Sequence, residues 1–148
     1  KKFLNNLDNY FKNLIKKKTN IDINKTNIFF NDILTNKDTI FFEIEKSKNL
    51  SKIQMKLYDF FKKSININNK INFSQNILNK NYNKFGYPYI GNIWIPHFTI
   101  CSIKNSKKKL MVKDFLDTKI NFHANINNLS LWQITSKNRH IKIFETKL

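Results

Sequence analysis

Apolar and polar positions alternate along this chain with two different periods. Phe3, Leu4, Leu7, Tyr10, Phe11, Leu14 and Ile15 recur three and four residues apart, the spacing of one buried helical stripe. Lys16, Lys17 and Lys18 follow, where positive charge suits a helix C-terminus. Ile21 and Ile23 then alternate with polar residues ahead of Ile28, Phe29 and Phe30, which predicts a strand pair, or a strand with a turn, across 20–31. In "TIFFEIEKS", Thr39 to Ser47, a strand places Ile40, Phe42 and Ile44 on one face and Phe41, Glu43 and Glu45 on the other.

A second helical stripe, Leu50, Ile53, Leu57, Phe60 and Phe61, runs to about Lys63 behind a cap at Ser47 or Asn49. Residues 64–84 are rich in Asn and Lys and read as a long surface connection with a short helix near Ser74 to Leu78. "FGYPYIGN" holds Pro88 and both glycines, Gly86 and Gly91, and reads as turns. Beyond it come a strand at "WIPHFTICSI", a short helix over 106–117, and strands near 121–134 and 139–147 joined by a polar turn at Thr135 to Asn138. Mixed helices and hairpins with no Gly-rich phosphate loop predict an α+β fold, with 148 residues forming a single domain.

Composition narrows the function less than it first promises. A net charge of +17 is an electrostatic invitation to phosphates. Yet Arg139 is the only arginine, Ala124 the only alanine and Val112 the only valine, while Lys, Asn, Ile and Phe abound. That is the bias of an A/T-rich coding sequence, and arginine is the residue that planar phosphate and base recognition prefers. The charge still favours an anionic ligand. No apolar run approaches the roughly 20 residues that span a bilayer, so no membrane partner is expected. The single cysteine, Cys101, forbids an internal disulfide and fits a reducing, cytoplasmic setting.

Within "WIPHFTICSI" a strand spends a titratable ring and a hydroxyl among apolar residues. Strict alternation sends His97, Thr99, Cys101 and Ile103 to one face, and Phe98, Ile100 and Ser102 to the other, with Phe98 and Ile100 free to pack on a helix. His97 and Thr99 then stand about 6.5–7 Å apart along the strand. An imidazole passes protons near neutral pH, and a neighbouring hydroxyl donates to a phosphate oxygen. Taken alone, His-x-Thr is a short pattern that chance supplies often.

The stretch resembles the second signature of the two-histidine (2H) phosphoesterases, which include RNA 2',3'-cyclic phosphodiesterases and 2'-5' RNA ligase-like proteins. That signature is His-x-Thr/Ser on a strand, commonly after a proline, and Pro96, His97 and Thr99 match it. The closing "NINNLSLWQITSKNRHIKIFETKL" and the upstream "TIFFEIEKSKNLSKIQMKLYDFFKK" are similar in layout to the family's last hairpin and to the strand and helix of its second lobe. The resemblance implies bilobal antiparallel sheets with flanking helices. It also implies cofactor-free, metal-independent cleavage of a phosphodiester at an RNA end or in a small cyclic or 2'-5'-linked nucleotide, by a monomer. His97 would be an acid–base group and Thr99 a phosphate donor.

The family pairs two such motifs across a cleft, and this sequence has one. His123 and His140 lack the Thr/Ser two residues on, lie after the motif instead of before it, and read as surface residues of the last strands. The first motif and its strands are expected upstream of residue 1, which leaves these 148 residues inactive or nearly so. The alternatives are a catalytically inactive homologue and a basic RNA-binding module.

Tyr87, Tyr89 and Trp94, just before the motif, are substrate-binding candidates, since an aromatic ring can stack on a base. Such rings more often fill the gap between a loop and a sheet. Lys104 and Lys107 to Lys109 could steer a phosphate, although charge runs are usually solvated faces. Cys101 has no activating base in the sequence pattern, and no His/Cys/Asp/Glu set has zinc-like spacing.

Overall fold

The computed structural model describes residues 2–15, 19–32, 37–67, 72–104, 110–135 and 139–148. The chain is α+β, with helices among antiparallel strands. It forms two compact units, Lys1–Ile21 with His123–Leu148, and Asp22–Phe122.

The smaller unit is built on the predicted first helix, α1 (Lys2–Leu14), and the hairpin of β5 (Asn128–Ile134) and β6 (His140–Lys147). Leu7, Phe11 and Ile15 are buried, as their spacing predicts, and the Phe11 ring meets Phe144 of β6 edge-on at 6.1 Å. Phe3, one turn before Leu7 at the start of the helix and expected in that stripe, is exposed. On the same side, Thr146 donates to Asp8 at 2.6 Å and Lys12 donates to the other carboxylate oxygen at 2.7 Å. Those two bonds, the Lys12 one first, hold the Asp8 carboxyl below its usual range. The predicted strand 121–134 is two strands, β4 (Phe122–Ile126) and β5, broken at Asn127, whose carbonyl accepts from Leu148 N–H. The turn predicted at 135–138 is described only at Thr135, which bonds Arg139 through both backbone and hydroxyl.

The larger unit carries β1 (Thr19–Asp32), which starts in the smaller unit, β2 (Lys37–Ile44) and β3 (His97–Ile103), hydrogen-bonded in the order β3-β2-β1. The expected break in 20–31 is absent: β1 is one long strand whose register slips between Ile23 and Lys25. Its polar middle, which suggests a turn, is instead occupied by side-chain bonds. Buried Thr26 shares its hydroxyl proton between the carbonyls of Phe115 (3.3 Å) and Leu116 (3.0 Å). These are end-of-helix carbonyls of α4 (Leu110–Asp117), groups a helix cannot satisfy internally. The first part of the helix predicted at 106–117 lies outside the described residues.

β2 is the central strand and is covered on both sides. Ile40 and Ile44 are buried on one face and Phe41, fully inaccessible, on the other. On the Ile40 face Phe42 meets Phe115 at 5.9 Å and Phe122 at 6.0 Å. α2 (Lys48–Phe61) begins at Ser47, whose Oγ accepts from Leu50 N–H, and buries Leu50 and Ile53.

Residues 68–71 of the predicted surface connection lie outside the described residues, and the described part after them is not a mere surface connection. It leads into α3 (Asn76–Phe85), longer than predicted, and supplies a small core of Phe73, Leu78 and Tyr82, against which Ile67, Tyr89 and Ile93 pack. Asparagine makes this possible. Asn79 bonds both backbone groups of Phe73, accepting at 2.7 Å and donating at 2.8 Å, and Asn81 donates to the carbonyls of Pro88 and Ile90. Gly86 ends α3 in a left-handed conformation, φ 72°, donating to Tyr82 O at 2.7 Å. Tyr58 of α2 holds Phe85 edge-on at 5.2 Å.

Candidate functional site

The strand that carries the His-x-Thr pattern is positioned from its N-terminal end. Gly91 opens a short 3-10 turn, Gly91–Ile93, at φ 66°. Its N–H donates to Gln54 of α2, and Lys46 donates to the carbonyls of Gly91 (2.7 Å) and Asn92 (2.9 Å). Trp94 N–H closes that turn on Gly91 O. Buried Pro96 then gives its carbonyl to Ile44 N–H at 2.9 Å, and His97 enters the ladder as the first residue of β3.

In the ladder, His97 stands opposite Glu43, Phe98 opposite Phe42, and Thr99 opposite Phe41. Residues directly opposite share a face. One surface of the sheet therefore bears His97, Thr99, Phe41 and Glu43, continued on β1 by Lys25, Asn27 and Phe29. The Phe29 and Phe41 rings stack at 4.4 Å, and His97 meets both, at 5.7 Å and 5.0 Å between centroids. They floor the imidazole on one side while the residue remains exposed.

The register slips one residue later. Phe41 pairs with Thr99 but Ile40 with Cys101, leaving Ile100 as the extra residue of a β-bulge. The bulge overturns the expected alternation beyond Thr99. Cys101 pairs with Ile40 and leaves the His97 face, and Ser102 takes its place opposite Thr39, hydroxyl to hydroxyl at 3.1 Å. Phe98 and Ile100, expected to pack on a helix, are nearly half exposed: Phe115 of α4 meets Phe42 of β2, and among the described residues β3 lies at the edge of the sheet.

His97 Nδ1 lies 2.8 Å from the carbonyl of Ile95. A carbonyl only accepts, so Nδ1 carries a proton, and Nε2 holds the lone pair of the neutral ring or the second proton of the charged one. Among the described residues nothing bonds Nε2 or the Thr99 hydroxyl, and Thr99 is exposed. The arrangement can exchange a proton at Nε2 and donate a hydrogen bond beside it.

Of the aromatic candidates, Tyr89 joins the site through Phe29, with ring centroids at 6.2 Å, and Tyr87 joins Tyr89 at 6.2 Å. Tyr89 also packs on the α3 core, whereas Tyr87 is 44% exposed. Trp94 is half-buried and, among the described residues, makes no ring contact with the others. Lys104 is exposed, and Lys107 to Lys109 lie outside the described residues. His123 and His140 are exposed on β4 and β6.

Sequence reasoning missed the polar row beside His97. Asn27 donates to Glu43 Oε2 at 2.8 Å while its own Oδ1 accepts from Ile28 N–H, and Lys25 Nζ lies 3.7 Å from the same Oε2. The available signal was Glu43 itself, an acidic residue on the same strand face as buried Phe41. Among the described residues no group of three His, Cys, Asp or Glu could hold a metal ion, and no helix is long and apolar enough to cross a membrane. No family model matches the chain, and no curated protein matches it.

Proposed function

We propose that this chain carries one of the two His-x-Thr motifs of a metal-independent phosphodiesterase of the two-histidine type, acting on RNA termini or on small cyclic or 2'-5'-linked nucleotides. The observation that carries the reading is the pairing of His97 and Thr99, both exposed, on one sheet face, with Nδ1 tied to Ile95 O so that Nε2 is the working nitrogen. An imidazole held in one tautomer is a ready proton donor or acceptor. Thr99 supplies a hydroxyl donor to a phosphate oxygen, and Tyr87 a face for a base. In this reading the sheet bearing β3 is one lobe of a bilobal antiparallel fold.

The test is titration of the protein with 2',3'-cyclic AMP, followed through the His97 and Thr99 resonances. Shifts centred on His97 Nε2 and the Thr99 hydroxyl region, lost in His97→Ala, support the reading. Binding only to long RNA, salt-dependent and indifferent to His97→Ala, replaces it with a basic RNA-binding module.

A further inference from the structure

One face of the β5–β6 hairpin packs on α1 through Phe144 and Thr146. Alternation sends Ser130, Trp132 and Ile134 of β5 to the other face, where they stand across the ladder from Glu145, Lys142 and His140. All six are exposed, Trp132 to 48% and Ile134 to 63%. A bulge produces this grouping. Leu131 pairs with Phe144 and Trp132 with Lys142, so Ile143 is the extra residue. In an unbroken register Ile143 would stand opposite Trp132, and Lys142 would turn to the α1 side. The bulge thus sets an ammonium beside an exposed indole: Lys142 Nζ lies 5.8 Å from the ring centroid and 3.1 Å from Glu145 Oε2. Trp132 Nε1–H donates to Ser130 Oγ at 2.7 Å, which ties one edge of the ring to its own strand.

Bilayers and most protein partners are met by contiguous apolar patches. Here a hydroxyl, an imidazole, an ammonium and a carboxylate interrupt the apolar surface around the indole. A tethered indole with a cation beside it suits an unpaired base and its phosphate: the ring stacks and the ammonium meets the charge. The net charge of +17 draws a polyanion toward the chain as a whole.

We propose that this face of the β5–β6 hairpin binds a segment of single-stranded RNA, with one base stacked on Trp132 and a neighbouring phosphate on Lys142. Ile134 extends the apolar floor beside the ring. Glu145 is the anionic group that the phosphate displaces from Lys142. The site belongs to the smaller unit and uses none of the groups on the His97 face. Only the choice of RNA over DNA rests on the phosphodiesterase reading.

The experiment is titration of an end-labelled oligouridylate octamer with the 148-residue chain, followed by fluorescence anisotropy at several salt concentrations. Trp132→Ala should weaken binding roughly 5- to 150-fold, and Trp132→Phe, which keeps a ring, should recover most of the loss. Lys142→Ala should reduce the salt slope by about 0.7, the share of one phosphate on a single strand. Glu145→Gln should tighten binding, because it frees the ammonium and removes a like charge. Should Trp132→Ala lose the fold, the other two variants decide: an unchanged salt slope in Lys142→Ala with unchanged affinity in Glu145→Gln overturns the proposal. Equal affinity for a stable RNA duplex, whose bases stay in their stack, also overturns it. Tighter binding of an oligothymidylate octamer overturns the choice of RNA, and Trp132-dependent binding to phosphatidylserine vesicles without binding of the octamer replaces the partner with a membrane surface. His97→Ala should bind the octamer as wild type does; a loss there places the strand on the other sheet and defeats the proposal. Octamer binding that survives while 2',3'-cyclic AMP is not bound at His97 removes only the phosphodiesterase reading.

Discussion

The hydroxyls of Thr39 and Ser102 meet at 3.1 Å across the β2–β3 ladder, on the surface that also holds His97 and Thr99. Four residues from β2 and β3 thus bring an imidazole and three alcohols to one face, and the bulge at Ile100 is what moves Ser102 there. Thr39 is buried and tied to its partner. Thr99 is the exposed alcohol nearest the imidazole along the strand.

Replacing Thr99 with Val keeps the strand preference and removes the donor. Hydrogen bonds to charged groups contribute about 1.5–3 kcal/mol, so the dissociation constant for 2',3'-cyclic AMP should rise roughly 10- to 150-fold. Thr99→Ser should bind within a few-fold of wild type. Calorimetric titration of the three proteins checks it, and equal affinity for Val and Thr removes Thr99 from the site.

Thr26→Val should destabilise the larger unit by about 1–2 kcal/mol, because the Leu116 carbonyl at the end of α4 loses the Thr26 donor in a part-buried place, while Phe115 O keeps the Thr118 N–H. A urea midpoint that falls with an unchanged slope is the expected signature. No change in midpoint would mean that water replaces the hydroxyl without penalty.

Gly86→Ala meets two obstacles, a φ of 72° and the side chain of Ile65 standing where the new methyl would go. The conformational cost alone is roughly 1–2 kcal/mol. Adding Ile65→Ala clears the collision but not the dihedral, so the double variant should lack the part of the penalty that is collision. Amide exchange in α3 should accelerate in Gly86→Ala before that of β2 does.

The Asp8 carboxyl lies below its ordinary value of 3.8 through its bonds from Lys12 and Thr146. A folded-state value below the unfolded one adds stability that is complete above the unfolded value and is lost as pH falls through the folded one. Thermal melts of wild type should therefore drop on acidification from about pH 5 through the region below 3.8, and Asp8→Asn should flatten that drop. A parallel acid response in the two proteins would show that other carboxyls dominate.

Helical spacing and strand alternation are legible wherever side chains alone decide position. Leu7, Phe11 and Ile15 and the two faces of β2 come from it, while the sequence narrows the cap of α2 to Ser47 or Asn49 and the structure uses Ser47. Backbone irregularity is not legible. The bulge at Ile100 and the slip near Asn24 leave no signature in residue types, and each reverses the face of the residues beyond it. The Asn-rich segment misleads for another reason. Polar composition suggests solvation, whereas Asn79 and Asn81 spend their amides on buried backbone and let Phe73, Leu78 and Tyr82 cluster. At the site, His97 and Thr99 are visible as a pattern, but Glu43 and Asn27 become neighbours only through pairing across three strands.

The same bulge has a bearing on how the molecule behaves at high concentration. Among the described residues β3 ends its sheet, so one row of its amides and carbonyls is directed away from β2, next to the half-exposed Phe98 and Ile100. An edge of that kind is a template on which another polypeptide could add a strand. The extra residue kinks the template midway, and Pro96 offers no amide at its entrance. A straight incoming strand finds matched partners on only part of the row, which guards the protein against runaway self-association.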